Sequence, residues 1–108
     1  AKLMIPRGGR IVNISSIAGR RAVAGAAAYA ASKFAAVGFT EAIARELKPH
    51  GIRVYSLCPG AVNTELRRAA VPNEDRSKIM QPEDIAALVT FLVAGDGAGL
   101  RDLVLDIS

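Results

Sequence analysis

Residues 16–33 read SIAGRRAVAGAAAYAASK, and this stretch decides the fold. Tyr29 and Lys33 stand four apart inside a segment, 27–47, that reads as one long helix. At that spacing two side chains share a helix face, one turn apart. A phenol working as an acid–base group near neutral pH asks for roughly 4 kcal/mol of added phenolate stabilisation. An ammonium group about 5 Å away, at an effective dielectric of about 20, supplies roughly 3 kcal/mol of it. The pair therefore suits a proton donor facing a carbonyl or alcohol oxygen. The same spacing also arises in helices with a half-buried tyrosine and a solvated lysine, so context has to decide.

Ser16 lies 13 residues before Tyr29, at the end of an apolar run, 10–16 (RIVNISS), that reads as a buried parallel strand. A second such strand, 52–57, follows the helix and closes on CPGAVNT at 58–64. A strand-end serine, a helical tyrosine and lysine, and a Pro-Gly at the next strand end form an ordered constellation. In open α/β sheets ligands bind outside the carboxyl ends of strands, where Ser16 and Pro59 both fall.

RIVNISSIAG, YAASK and IRVYSLCPGAVNTEL together resemble the C-terminal half of a short-chain dehydrogenase/reductase, over about 8–66, with weaker likeness through QPEDIAALVTFLV. The resemblance implies an α/β fold: a partial Rossmann-like, doubly wound parallel sheet of about three strands with flanking helices. It implies that Ser16 orients the substrate, Tyr29 is the catalytic acid/base, and Lys33 assists it and holds the nicotinamide ribose. Pro59, Gly60, Val62 and Thr64 match the segment that closes over the nicotinamide carboxamide. The implied activity is hydride transfer between NAD or NADP and a small carbonyl or secondary alcohol. The implied assembly is a homo-oligomer, a dimer or tetramer, through the 29–47 helix.

No strand–Gly-rich turn–helix unit stands at the start of the chain, so 1–108 reads as the C-terminal catalytic part of a dinucleotide-binding domain, without its N-terminal cofactor-binding half. On that reading the isolated chain is inactive. The alternative is a non-catalytic fragment or interaction module that binds no dinucleotide.

Composition bounds the rest. With 108 residues, 51% of them hydrophobic, the chain fits one packed domain. Only 5% are aromatic while alanine and glycine abound, which favours close helix–sheet packing. The net charge of +4 comes from scattered basic residues, not from a stripe interleaved with aromatics, so nucleic acid is not expected as a partner. The single cysteine, Cys58, rules out an internal disulfide. No signal peptide and no apolar run approaching 18 residues are evident, and a cytoplasmic, non-membrane protein is expected.

Smaller features follow in chain order. Residues 1–7 read as the tail of a helix. Asn13 reads as a backbone-bonded polar residue within its strand. Ala36, Phe39, Ile43 and Leu47 form the stripe expected to face the sheet, with Ala31, Phe34, Ala35, Gly38 and Ala42 on a second face. Arg20 and Arg21 are expected in solvent, His50 in the helix stop, and Cys58 as a small buried residue. Residues 63–70 suggest a short helix capped by Asn63 or Thr64, and 72–78 a polar loop, together a lid-like insertion. Pro82, Glu83 and Asp84 open a last helix, 95–99 turn the chain, and 103–107 make a third strand. No metal site is expected.

Overall fold

The chain forms a three-stranded parallel sheet, ordered β1 (Gly9–Ile14), β2 (Ile52–Pro59), β3 (Val104–Ile107). The computed structural model describes residues 1–21, 24–94 and 104–108. Helix α1 (Ala27–Leu47) connects β1 to β2, and α2 (Glu65–Ala70) and α3 (Pro82–Val93) lie between β2 and β3. One-turn 3-10 segments occupy Ile17–Gly19, Lys48–His50 and Arg76–Lys78.

Alternation along the strands assigns each helix its face. Ile11, Ile52 and Val54 pack with Ala44, Ile43 and Leu47 of α1. Val12, Tyr55, Leu57, Leu105 and Ile107 pack with Ile85, Leu88, Val89 and Leu92 of α3. The registers Ile11↔Val54 and Val12↔Tyr55 keep these two sets apart. Seven of the eight β2 residues are buried, as a parallel strand covered on both faces requires. The near-continuous apolar runs of the sequence have this cause.

Local chemistry sets the ends of the elements. After α1, Pro49 falls in the 3-10 turn and Gly51 takes the left-handed conformation, φ 69°, that ends it. The exposed His50 sits in this stop, as expected. Thr64 caps α2 by accepting from the Arg67 amide at 3.1 Å. Asp84 caps the start of α3 by accepting from the Gln81 amide at 2.8 Å. At the other end of α3, Arg10 donates from Nη1 to the Val93 carbonyl at 2.7 Å, holding the helix to β1.

Four expectations need correction. Residues 1–7 form consecutive turns, with Met4 and Ile5 both donating to the Ala1 carbonyl, and not a helix. The first strand ends at Ile14, because Ser16 leaves the ladder to cap the next turn. Asn13 bonds a side chain, not the backbone: its amide donates to Thr40 Oγ at 2.9 Å, and Thr40 Oγ donates to the Ala36 carbonyl at 2.7 Å. The expected stripe of α1 keeps Ile43 and Leu47 but runs through Thr40 in place of Phe39. Ala30, Val37, Thr40 and Ala44 are its buried residues, while Phe39 is 62% exposed. A satisfied hydroxyl thus faces the sheet where an aromatic ring was expected. The turn at 95–99 and the position of Leu103 lie outside the described residues.

Thr40→Val should therefore destabilise the chain by about 1–3 kcal/mol, since it leaves the Asn13 amide without its acceptor. Phe39→Ala in the monomer should change stability by no more than about 0.5 kcal/mol. Urea midpoints of the two variants measure both effects.

Candidate functional site at the carboxyl ends of the strands

Two parallel strands direct their carboxyl ends toward one edge of the sheet, and the chain leaves each with a different task. Beyond β1 the ladder continues one step, with the Ser15 amide donating to the Leu57 carbonyl at 2.7 Å. Ser16 is extended, and its Oγ accepts from the Ala18 amide at 3.1 Å, capping the turn Ile17–Gly19. With its oxygen accepting there, the Ser16 hydroxyl keeps its own proton to donate.

The turn lies against α1. Ser15 Oγ donates to the Lys33 carbonyl at 3.0 Å. Gly19 approaches the same point so closely that a Cβ there would lie 2.7 Å from both the Lys33 carbonyl oxygen and Ser15 Oγ. Glycine is required at this position for space, not for backbone conformation. On the helix itself the Lys33 ammonium stands over the Tyr29 ring, 5.5 Å from its centroid. Such a cation–ring contact contributes about 0.5–1 kcal/mol at an exposed site. Tyr29 is 46% exposed, which leaves its phenol accessible.

Beyond β2, the Gly60 amide donates to the Ile107 carbonyl at 2.7 Å, carrying the sheet contact past Pro59. Val62 then forms a parallel bridge with Met80, made by the Asn63 amide to the Met80 carbonyl and the Met80 amide to the Ala61 carbonyl. In such a bridge the amide and carbonyl of Val62 itself point away from Met80. They present a donor and an acceptor side by side, the pattern that a primary carboxamide complements. The lid-like insertion is closed by further bonds. Asn63 donates to Gln81 at 2.9 Å, and Arg67 meets Glu74 through two bonds of 2.7 Å.

The structure thus brings Tyr29 and Lys33 into contact and sets the turn that Ser16 caps against their helix. Pro59, Gly60, Val62 and Thr64 line a separate run from the neighbouring strand end. No hydrogen bond joins Ser16 to Tyr29 among the described residues. Arg20 is half-exposed but paired, its Nε donating to Asp106 at 3.2 Å. Cys58 is fully buried, and burial pushes its thiol above the ordinary range, which removes it as a nucleophile.

Sequence reasoning missed Ser15, Gly19 and the Met80–Gln81 strap. Ser15 has no periodic or spacing signal beside Ser16. The partners of Val62 and Asn63 lie 18 residues downstream. Among the described residues no helix is long and apolar enough to cross a membrane.

A parallel sheet covered by helices on both faces, with polar groups collected outside the strand ends, defines the doubly wound α/β class that binds ligands at this edge. The profile of the short chain dehydrogenase family matches residues 1–75, and the chain belongs to that family. It is 42% identical over 100 residues to the acetoacetyl-CoA reductase of Shinella zoogloeoides, covering 84% of this chain and 41% of that protein. Among solved structures, a short chain dehydrogenase from Escherichia coli CFT073 complexed with NADPH superposes with TM-score 0.86 at 35% identity, over 97% of this chain and 44% of that one. A 4-hydroxyisoleucine dehydrogenase complexed with NADH gives TM-score 0.82 at 31% identity, over 98% and 48%. The chain spans less than half the length of each of these relatives.

The Arg67–Glu74 contact makes the insertion sensitive to acid. The hydrogen bond from Arg67 holds the Glu74 carboxyl below its ordinary value of 4.5. Its contribution is complete above that value and fades as pH falls through the lowered one. Amide exchange over 65–78, corrected for intrinsic rates, should accelerate only below about pH 4.5. Glu74→Gln should give fast exchange throughout and abolish that step.

Proposed function

We propose that the protein carrying this chain is an oxidoreductase that moves a hydride between NAD or NADP and a small carbonyl or secondary alcohol. The observation that carries this reading is the Lys33 ammonium over the Tyr29 ring, on a helix tied to the end of β1. Tyr29 gives its phenolic proton to the carbonyl oxygen in reduction and takes it back in oxidation. Lys33 stabilises the charge left on the phenol oxygen, and Ser16 donates a hydrogen bond to the reacting oxygen.

The residues present fit a nicotinamide cofactor. Tyr29 and Lys33 supply donors for its ribose, and the Val62 amide and carbonyl match its carboxamide, with Pro59, Gly60 and Thr64 shaping that segment. The cofactor, when bound, supplies or accepts the hydride. The names and bound nucleotides of the relatives support this assignment and leave NAD and NADP both in play.

On this reading residues 1–108 form the catalytic part of a dinucleotide-binding domain whose glycine-rich half lies elsewhere in the polypeptide. The exposed Phe34 and Phe39 on α1 support assembly into a homo-oligomer through that helix. A free, buried Cys58 is consistent with a reducing, cytoplasmic setting. Scattered basic residues argue against nucleic acid, and nothing in the reading calls for a membrane.

Tyr29→Phe should lower kcat by about 10²–10⁴-fold. Dissociation constants for NADH and NADPH should stay within a few-fold of wild type. Turnover equal to wild type would overturn the assignment of Tyr29. Neither nucleotide raising the melting temperature of the wild-type protein would favour a non-catalytic interaction module.

A further inference from the structure

We infer that Ser15, the neighbour of the proposed substrate-orienting serine, is a positioning residue that sets the Ser16 turn against the helix carrying Tyr29 and Lys33; this inference rests on the function proposed above. Ser15 is 5% exposed, and its hydroxyl donates to the Lys33 carbonyl at 3.0 Å. Its amide simultaneously holds the Leu57 carbonyl at 2.7 Å, so one residue fastens α1 to the end of the β1–β2 ladder. Gly19 independently marks the same point, since even one added carbon would lie 2.7 Å from the Lys33 carbonyl oxygen. Between these two contacts runs the turn capped by Ser16. The Ser16 hydroxyl and the Tyr29 phenol belong to different elements, and no hydrogen bond joins them among the described residues. Their separation is therefore set where the elements touch: nearest to both groups at Ser15, Gly19 and the Lys33 backbone, and further along α1 at Asn13–Thr40. A productive constellation tolerates displacements of only about 0.5 Å, whereas one hydroxyl–carbonyl bond is a small part of the folding free energy. Ser15 should accordingly matter more to turnover than to stability.

The test uses the full-length protein with NADH or NADPH and a panel of probe carbonyls (acetoacetyl-CoA, diacetyl and cyclohexanone), with kcat and KM on the best of them measured for Ser15→Ala, Ser15→Thr and Gly19→Ala. Ser32→Ala serves as control, because Ser32 also bonds a carbonyl of α1, that of Tyr29 at 2.7 Å, but at the exposed surface and within its own helix. Ser15→Ala should lower kcat at least about 10-fold, as expected for a displacement short of 1 Å, with KM for the nucleotide within about two-fold. Ser15→Thr, which restores the hydroxyl, should recover most of the loss. Gly19→Ala should lower kcat similarly, and the double variant Ser15→Ala/Gly19→Ala should lose less than the product of the two single losses. Ser32→Ala should stay within about two-fold of wild type. The carbonyl ¹³C shift of Lys33 should move in Ser15→Ala and return in Ser15→Thr, reporting the contact without any substrate. Wild-type kcat in Ser15→Ala, with the Lys33 shift moved, overturns the positioning role alone. An unmoved Lys33 shift overturns the contact itself. A kcat loss that Ser15→Thr does not recover assigns the effect to packing and also overturns the proposal. Wild-type protein that turns over no carbonyl substrate overturns the functional reading and this inference together.

Discussion

β2 is paired along both edges and covered on both faces, and the remaining elements take their places from that constraint. A strand with seven of its eight residues buried, Arg53 being partly exposed, must have apolar or internally satisfied side chains on alternate faces. Ile52 and Val54 meet that demand toward α1, and Tyr55 and Leu57 toward α3. Ser56 and Cys58 continue the α1 side as small residues beside one another, 4.0 Å apart. Toward the carboxyl end the interface thus changes from aliphatic packing to small polar groups, and there α1 is held by Asn13–Thr40 and Ser15–Lys33. The change of character along one strand separates an aliphatic end of the sheet from a polar one.

This arrangement places the candidate site apart from the packed core. The catalytic candidates sit on an exposed helix face and in a capped turn, where burial contributes little. Their placement comes from hydrogen bonds made to backbone carbonyls by buried or glycine-lined neighbours. Backbone atoms move less than side-chain ends, so fastening the Lys33 carbonyl locates the whole helical turn that bears the phenol and the ammonium. The strap from Met80 does the same for the chain beyond β2, with the Val62 amide and carbonyl turned away from Met80. Both devices fix main-chain atoms through hydrogen bonds between elements.

Membership of the short chain dehydrogenase family rests on the match over residues 1–75 and on identities above 30% across most of the chain. The long solvent-facing side of α1, with Phe34 45% and Phe39 62% exposed, is unusual for a helix that already packs on a sheet. The face it turns to the sheet is lined by small residues, Ala30, Thr40 and Ala44 among them, which bring the helix axis close. Larger apolar groups, Phe34 and Phe39 among them, are displaced to the outside.

Local chemistry alone determined a good deal. The helix 27–47 was legible from its composition and its Pro-Gly stop, and the central strand from a largely apolar run. The start of α2 was legible as capped by Asn63 or Thr64, of which Thr64 is the cap, and the start of α3 from Pro82, Glu83 and Asp84. The Tyr29–Lys33 contact followed from a spacing of four, because a helix brings such residues together whatever surrounds it. What the sequence could not carry were relations between elements. Whether Phe39 or Thr40 faces the sheet depends on the Asn13 amide across the interface, which a periodic pattern does not register. The roles of Ser15 and Gly19 depend on a carbonyl of Lys33, and a main-chain atom leaves no trace in the identity of the residue that bears it. Tertiary structure decided these points because each is a distance between groups far apart in the chain, and only the packed sheet assigns those distances.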